Sequence, residues 1–216
     1  MVSKSNRFSR QEEINELFGQ IGKVLERKVE ALLIGGAVML ELGLKDTTKD
    51  IDIVCRSEED RDILLASAKS LGFEIVGPEK RHKRLGLNRL AMKGGRNLDI
   101  FAGRISFDFC LSEAIWQRAV RARSFGGLIV RNASIGDIFI MKLIANRPGD
   151  APDCSALAIA GLDFDAIYNE IEQQYLKDGV VEQKIWITYL EEGIGILSPS
   201  RHDAISAGSS CCPSCS

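Results

Sequence analysis

Two aspartates stand one residue apart in Asp50-Ile51-Asp52-Ile53-Val54-Cys55, where polar and apolar residues alternate. That period predicts a strand with both carboxylates on one face and Ile51, Ile53 and Cys55 on the other. Neighbouring carboxylates repel unless a cation sits between them, and hard oxygen donors suit Mg²⁺ (or Mn²⁺). Upstream, the apolar run Ala31-Leu32-Leu33-Ile34 reads as a buried strand ending at Gly35-Gly36. Glycine lets the chain turn sharply and a ligand approach closely. A glycine bend at a helix N-terminus also accommodates phosphate oxygens. Together these residues predict a metal-bound triphosphate site.

A third acid, Asp99, lies between Leu98 and Ile100 in a predicted strand. Burying such a carboxylate is costly without a partner, and a cation shared with Asp50 and Asp52 would supply one. Asp108, also in an apolar setting, competes for the role. Asp99 is preferred because Gly94-Gly95 predicts a hairpin that returns its strand to the sheet beside Asp50. Lys142 is the sole cation in the apolar segment Ile138–Ala145. It must snorkel, pair with Asp150 or contact a substrate phosphate.

The elements that position these residues follow from pattern. Ser9-Arg10-Gln11-Glu12 predicts a capping box opening a helix whose stripe runs from Ile14 through Leu25. Ala37 to Leu42 reads as a short helix stopped by Gly43. Ser57 caps a helix ending at Gly72, and Phe73 to Val76 is a strand. Strands are predicted over 84–92 and 97–101, then a helix from Ser112 to Arg123 closed by Gly126-Gly127, with Arg118, Arg121 and Arg123 on its solvent face. A strand over 128–130 precedes a buried helix capped by Ser134. Helical patterns cover 163–176 and 181–190, and from Ser198 onward the Ser, Gly and Pro content predicts disorder. The basic run Lys80-Arg81-His82-Lys83-Arg84, extended by Arg89, Lys93 and Arg96, reads as a solvated loop or a landing surface for phosphates.

The 216 residues carry a net charge of −2, against a protein that coats nucleic acid by bulk charge. No apolar run is long enough to span a bilayer. The opening residues have no secretory h-region, so a cytoplasmic protein is expected. Cys55, Cys110 and Cys154 read as small hydrophobes. Cys212 and Cys215 lack the second pair that a structural zinc site needs.

Gly35-Gly36, thirteen intervening residues (37–49) and Asp50-Ile51-Asp52 resemble the glycine and Asp-x-Asp signature of the DNA polymerase β-like nucleotidyltransferases. The later Lys142, Arg147, Asp150 and Asp153 are similar to a motif of nucleotidyltransferases related to type IV abortive-infection toxins. The resemblance, which covers roughly 30–174, implies an α/β fold of mixed α+β type with a mixed sheet flanked by helices, taken as a domain over 1–160. Apolar pattern and composition add a helical C-terminal portion over 161–197 and a tail over 198–216. The resemblance also implies Mg²⁺-dependent transfer of a nucleoside monophosphate from an NTP to an acceptor hydroxyl on tRNA or another RNA, a protein or a small molecule. Asp50, Asp52 and Asp99 would be catalytic and metal-binding; Gly35, Gly36 and Lys142 would bind substrate. The rival reading is a non-catalytic nucleotide- or partner-binding module of the same fold.

Overall fold

The computed structural model describes residues 7–77, 89–105, 109–145 and 147–178. Lys80 to Arg84, Asp108, the pattern over 181–190 and the cysteine-bearing tail lie outside them.

Helix α1 (Gln11–Val24) leads into strand β1 (Val29–Ile34), helix α2 (Gly35–Glu41) and strand β2 (Asp50–Cys55). Helix α3 (Glu58–Ser70) follows, then β3 (Glu74–Val76), β4 (Arg89–Lys93) and β5 (Arg96–Ala102). Two short strands, β6 (Arg104–Ile105) and β7 (Phe109–Cys110), precede α4 (Glu113–Arg118), β8 (Val120–Phe125) and β9 (Leu128–Asn132). Helices α5 (Ile135–Ala145), α6 (Asp150–Ile159) and α7 (Phe164–Asp178) complete the described chain.

The sheet runs β3-β4-β5-β2-β1-β9-β8, with β6 and β7 appended to β5. It is mixed: β2 lies parallel to β5 and β1 parallel to β9, while β1 and β2 are antiparallel. The expected α/β fold with a mixed, helix-flanked sheet is therefore present. Central strands β1 and β2 bury Leu32, Leu33, Ile51 and Ile53 completely. Helix α5 is buried nearly all round, as its apolar sequence predicts. Helix α7 brings Ile167 and Ile171 into the same core.

Capping chemistry sets several boundaries. Ser57, Ser112 and Ser134 accept from the backbone N–H three residues on, in Asp60, Ile115 and Asp137. At α1 the expected capping box does not form: the N-cap is Arg10 without a side-chain cap, and Ser9 N and Oγ donate instead to Glu13 Oε1. The β4–β5 turn is the predicted two-residue hairpin: Lys93 pairs with Arg96, and Gly94 and Gly95 both have positive φ.

The helix expected through Arg123 ends at Arg118. Ala119 turns extended, and Val120–Phe125 becomes an edge strand paired with β9. Gly126-Gly127 thus makes a hairpin turn, not a helix stop. That hairpin packs on α1 so closely that a Cβ on Gly22 would stand 1.5 Å from the Phe125 carbonyl oxygen. Of the three arginines expected on a solvent face, Arg121 is exposed, whereas Arg118 and Arg123 are half-buried. Arg118 binds Asp137 and Glu170, while Arg121 and Arg123 bind Glu41. Likewise Lys93 donates to Leu71 O and Arg96 pairs with Glu13 over the Phe8 ring. Helix α6 is not among the elements expected from the sequence, although Asp150, Asp153, Cys154 and Leu157 recur at helical spacing on its buried side.

Candidate active site

Register decides where the acids lie. Asp50 pairs with Asn97, and Asp52 pairs with Asp99, across the parallel β2–β5 ladder. Paired residues in adjacent strands point to the same face, and neighbouring strands are about 4.8 Å apart. Asp50, Asp52, Asn97 and Asp99 therefore form a two-by-two polar patch. Its three aspartates line a cleft of about 400 Å³.

The glycine bend borders that patch. Helix α2 begins at Gly35 itself, earlier than Ala37, so both glycines belong to its first turn. Gly35 has φ +66°, and a Cβ there would stand 2.6 Å from Asp52 Oδ2. Only glycine leaves room for the carboxylate in that backbone conformation. A Cβ on Gly36 would meet Thr48 Oγ1 at 2.7 Å. Thr48 in turn donates to Asp50 O and exchanges backbone hydrogen bonds with Phe8. Arg7 and Phe8 thereby tie the N-terminal segment to the loop before β2, and Arg7 reaches the cleft.

The facing wall comes from α5 and α6. Lys142 Nζ lies 3.0 Å from Asp150 Oδ1 and 2.6 Å from Asp153 Oδ2. Lys45 Nζ bonds both Asp153 oxygens at 2.9 and 2.7 Å, and Arg147 Nε holds Asp150 Oδ2 at 2.9 Å. Pairing, rather than snorkelling, satisfies the buried Lys142.

The two walls differ electrostatically. Burial pushes the Asp52 carboxyl up to about 6, helped by the Asp50 charge. Burial, then repulsion from Asp52 and Asp50, pushes Asp99 up to about 8. On the basic wall burial acts in the same direction but loses: bonds from Arg147 and the Lys142 charge hold Asp150 below its ordinary value. Bonds from Lys142 and Lys45 do the same for Asp153.

A divalent cation fits this chemistry. Among the described residues Asp99 Oδ1 is buried without a hydrogen-bond partner, and the patch carries three carboxylates with no cation bonded to them. Hard oxygens of this kind suit Mg²⁺ or Mn²⁺. As they stand, no three His, Cys, Asp or Glu side chains among the described residues form a group that could hold a metal ion.

The comparisons sharpen the architecture. No family model and no curated protein matches the sequence. Among solved structures, the antibiotic-resistance factor ANT(2'')-Ia in complex with adenylyl-2''-tobramycin is similar at TM-score 0.51 and 20% identity, covering 76% of this chain and 98% of that one. A solution structure of ANT(2'')-Ia gives TM-score 0.50 and 20% identity over 74% and 90% of the two chains. The fold is a nucleotidyltransferase fold. An antigenic nucleotidyltransferase-like protein from Paracoccidioides brasiliensis aligns over 93% of this chain with TM-score 0.44 and 15% identity.

All six residues singled out in the sequence, Gly35, Gly36, Asp50, Asp52, Asp99 and Lys142, line the same cleft. Sequence reasoning missed Asn97, Lys45 and Thr48. Asn97 had a signal, since it precedes Asp99 by two residues as Asp50 precedes Asp52. Lys45 had none, because its place depends on how the loop before β2 folds back toward α6. No helix among the described residues is long and apolar enough to cross a membrane.

Proposed function

We propose that this cleft transfers a nucleoside monophosphate from an NTP to an acceptor hydroxyl with the help of Mg²⁺ or Mn²⁺. The observation that carries the reading is the pairing of Asp52 with Asp99, two residues along from Asp50 and against Gly35. Asp50 and Asp52 would hold the ion beside the triphosphate, and Asp99 would complete the ligand set. The bound metal supplies electrostatic stabilisation of the attacking and departing oxygens.

The remaining chemistry belongs to the chain. With a cation bound, Asp99 would be held as the carboxylate, and as the acid on the neighbouring strand it would accept the proton of the acceptor hydroxyl. That oxygen then bonds to the α-phosphorus while the bond to pyrophosphate breaks. Gly35 and Gly36, in the first turn of α2, would offer their backbone N–H groups to the phosphate oxygens. Lys45 and Arg147, more exposed than Lys142, present positive charge to the phosphate tail. Lys142 keeps Asp150 and Asp153 neutralised behind them and adds its charge at longer range. Residues Lys142, Arg147, Asp150 and Asp153, which resemble the motif of the abortive-infection relatives, thus make up the basic wall.

ANT(2'')-Ia bound to adenylyl-2''-tobramycin supports a small-molecule hydroxyl as one acceptor class; tRNA and protein hydroxyls are the others to test. A non-catalytic nucleotide-binding module is the second reading, favoured by carboxylates that are not yet gathered into a cage. Incubation with α-labelled NTPs, Mg²⁺ and total tRNA or lysate separates the two. Transfer of label by the wild type, lost in Asp50→Asn and Asp52→Asn, supports catalysis. Calorimetric binding of Mg²⁺–NTP without transfer supports the module, and neither result leaves only the fold.

A further inference from the structure

We propose that Asn97 is a positioning residue that aims the Asp50 carboxylate into the cleft; the inference rests on the metal site proposed above. Asn97 stands opposite Asp50 in the β2–β5 register, and its Nδ2 donates to Asp50 Oδ1 at 2.7 Å. An ionised carboxylate only accepts, so the amide must turn its NH₂ toward Asp50 and its carbonyl away. That carbonyl oxygen, Asn97 Oδ1, is buried and finds no partner among the described residues. Leaving a buried acceptor unsatisfied is unfavourable, and asparagine is depleted in strands. Neither property suits a residue kept for the sheet alone.

The bond has a directional consequence. Asp50 Oδ1 is occupied by the amide, and no other hydrogen bond to the Asp50 carboxylate is present among the described residues. Its second oxygen is therefore free to meet a cation beside Asp52 and Asp99. Of the three acids, Asp50 alone receives a neutral side-chain donor; Asp52 rests against Gly35, and Asp99 Oδ1 is unpartnered. Asn97 restrains the acid nearest the strand's entrance without adding charge to a site already crowded with it.

Binding of Mn²⁺ to the full chain, followed by electron paramagnetic resonance of the free ion without nucleotide, tests the proposal independently of turnover. Asn97→Leu, similar in size but lacking a donor, should bind Mn²⁺ about 10–100-fold more weakly, as is usual when an outer partner of a metal ligand is lost. Asn97→His, whose ring N–H can again reach Asp50, should recover most of that affinity. Asn97→Ser, too short to reach, should resemble Asn97→Leu and repeats the test if the leucine variant does not fold. Melting temperatures in EDTA should stay near the wild-type value. Wild-type affinity in both Asn97→Leu and Asn97→Ser, or in whichever of them folds, overturns the positioning role while leaving the metal site standing. If the wild type itself binds no Mn²⁺, the metal site and this inference fall together.

Discussion

Two acid clusters in this molecule, one buried among helices and one half-buried on the cleft floor, are treated in opposite ways. Among the helices, Asp137 and Glu170 share Arg118, whose Nη2 lies 2.6 Å from Asp137 Oδ1 and 2.7 Å from Glu170 Oε2. Ser134 donates to Asp137 Oδ2, Ser112 to Glu170 Oε2 and Gln174 to Glu170 Oε1. Every carboxylate oxygen there is engaged, and the cluster joins α4, α5 and α7. On the cleft floor, Asp52 and Asp99 crowd Asp50, and one oxygen of Asp99 has no partner. The first arrangement is complete within the chain. The second is costly until something positive arrives, which is the physical mark of a binding site.

Breaking each group should therefore give opposite phenotypes. Arg118→Met strands two almost fully buried carboxylates, and should cost about 3–5 kcal/mol in urea unfolding. Cleft chemistry should survive in whatever fraction stays folded. Asp99→Asn should do the reverse, lowering label transfer about 10²–10⁴-fold while leaving stability in EDTA unchanged or higher. A rescue of unfolding stability by Asp99→Asn together with lost transfer would be the strongest form of the contrast.

The sequence made the floor legible but not the walls. Period-two alternation placed Asp50 and Asp52 on one face, and the Gly94-Gly95 hairpin predicted that Asp99 returns to the sheet. Both are local signals that tertiary structure reinforces. The helix expected through Arg123 failed because Ala119 to Phe125 takes its conformation from pairing with β9, a contact no short window reveals. Lys45 and Asp153 lie 108 residues apart, so their ion pair was invisible to spacing. A lone lysine in an apolar helix needs a counter-charge, and the fold supplies Lys142 with two.

Smaller effects sharpen the contrast. Saturating Mg²⁺ at about 100 times its dissociation constant should stabilise the wild type by about 2.7 kcal/mol, and Asp99→Asn by less. In EDTA the raised carboxyls Asp52 and Asp99 stabilise the fold most fully below the ordinary carboxyl value near 4. Their contribution is lost as pH climbs through about 6 and about 8. Denaturation at stepped pH should show this decline in the wild type, and Asp99→Asn should flatten its upper part. Gly35→Ala should cost about 1–3 kcal/mol through its positive φ and also weaken Mn²⁺ binding by displacing Asp52. Gly43→Ala, at φ +70° with nothing within 4 Å, should carry only a comparable backbone cost and leave binding intact.

The central claim is that three acids on neighbouring strands close around divalent cations where a nucleotide's phosphates lie. A crystal grown with Mn²⁺ and a non-hydrolysable NTP, measured at the manganese absorption edge, tests it directly. An anomalous peak bounded by Asp50, Asp52 and Asp99, with phosphate density against Gly35 and Gly36, is the predicted result. Bound nucleotide with no metal between those carboxylates, or a manganese peak elsewhere on the sheet, would contradict it.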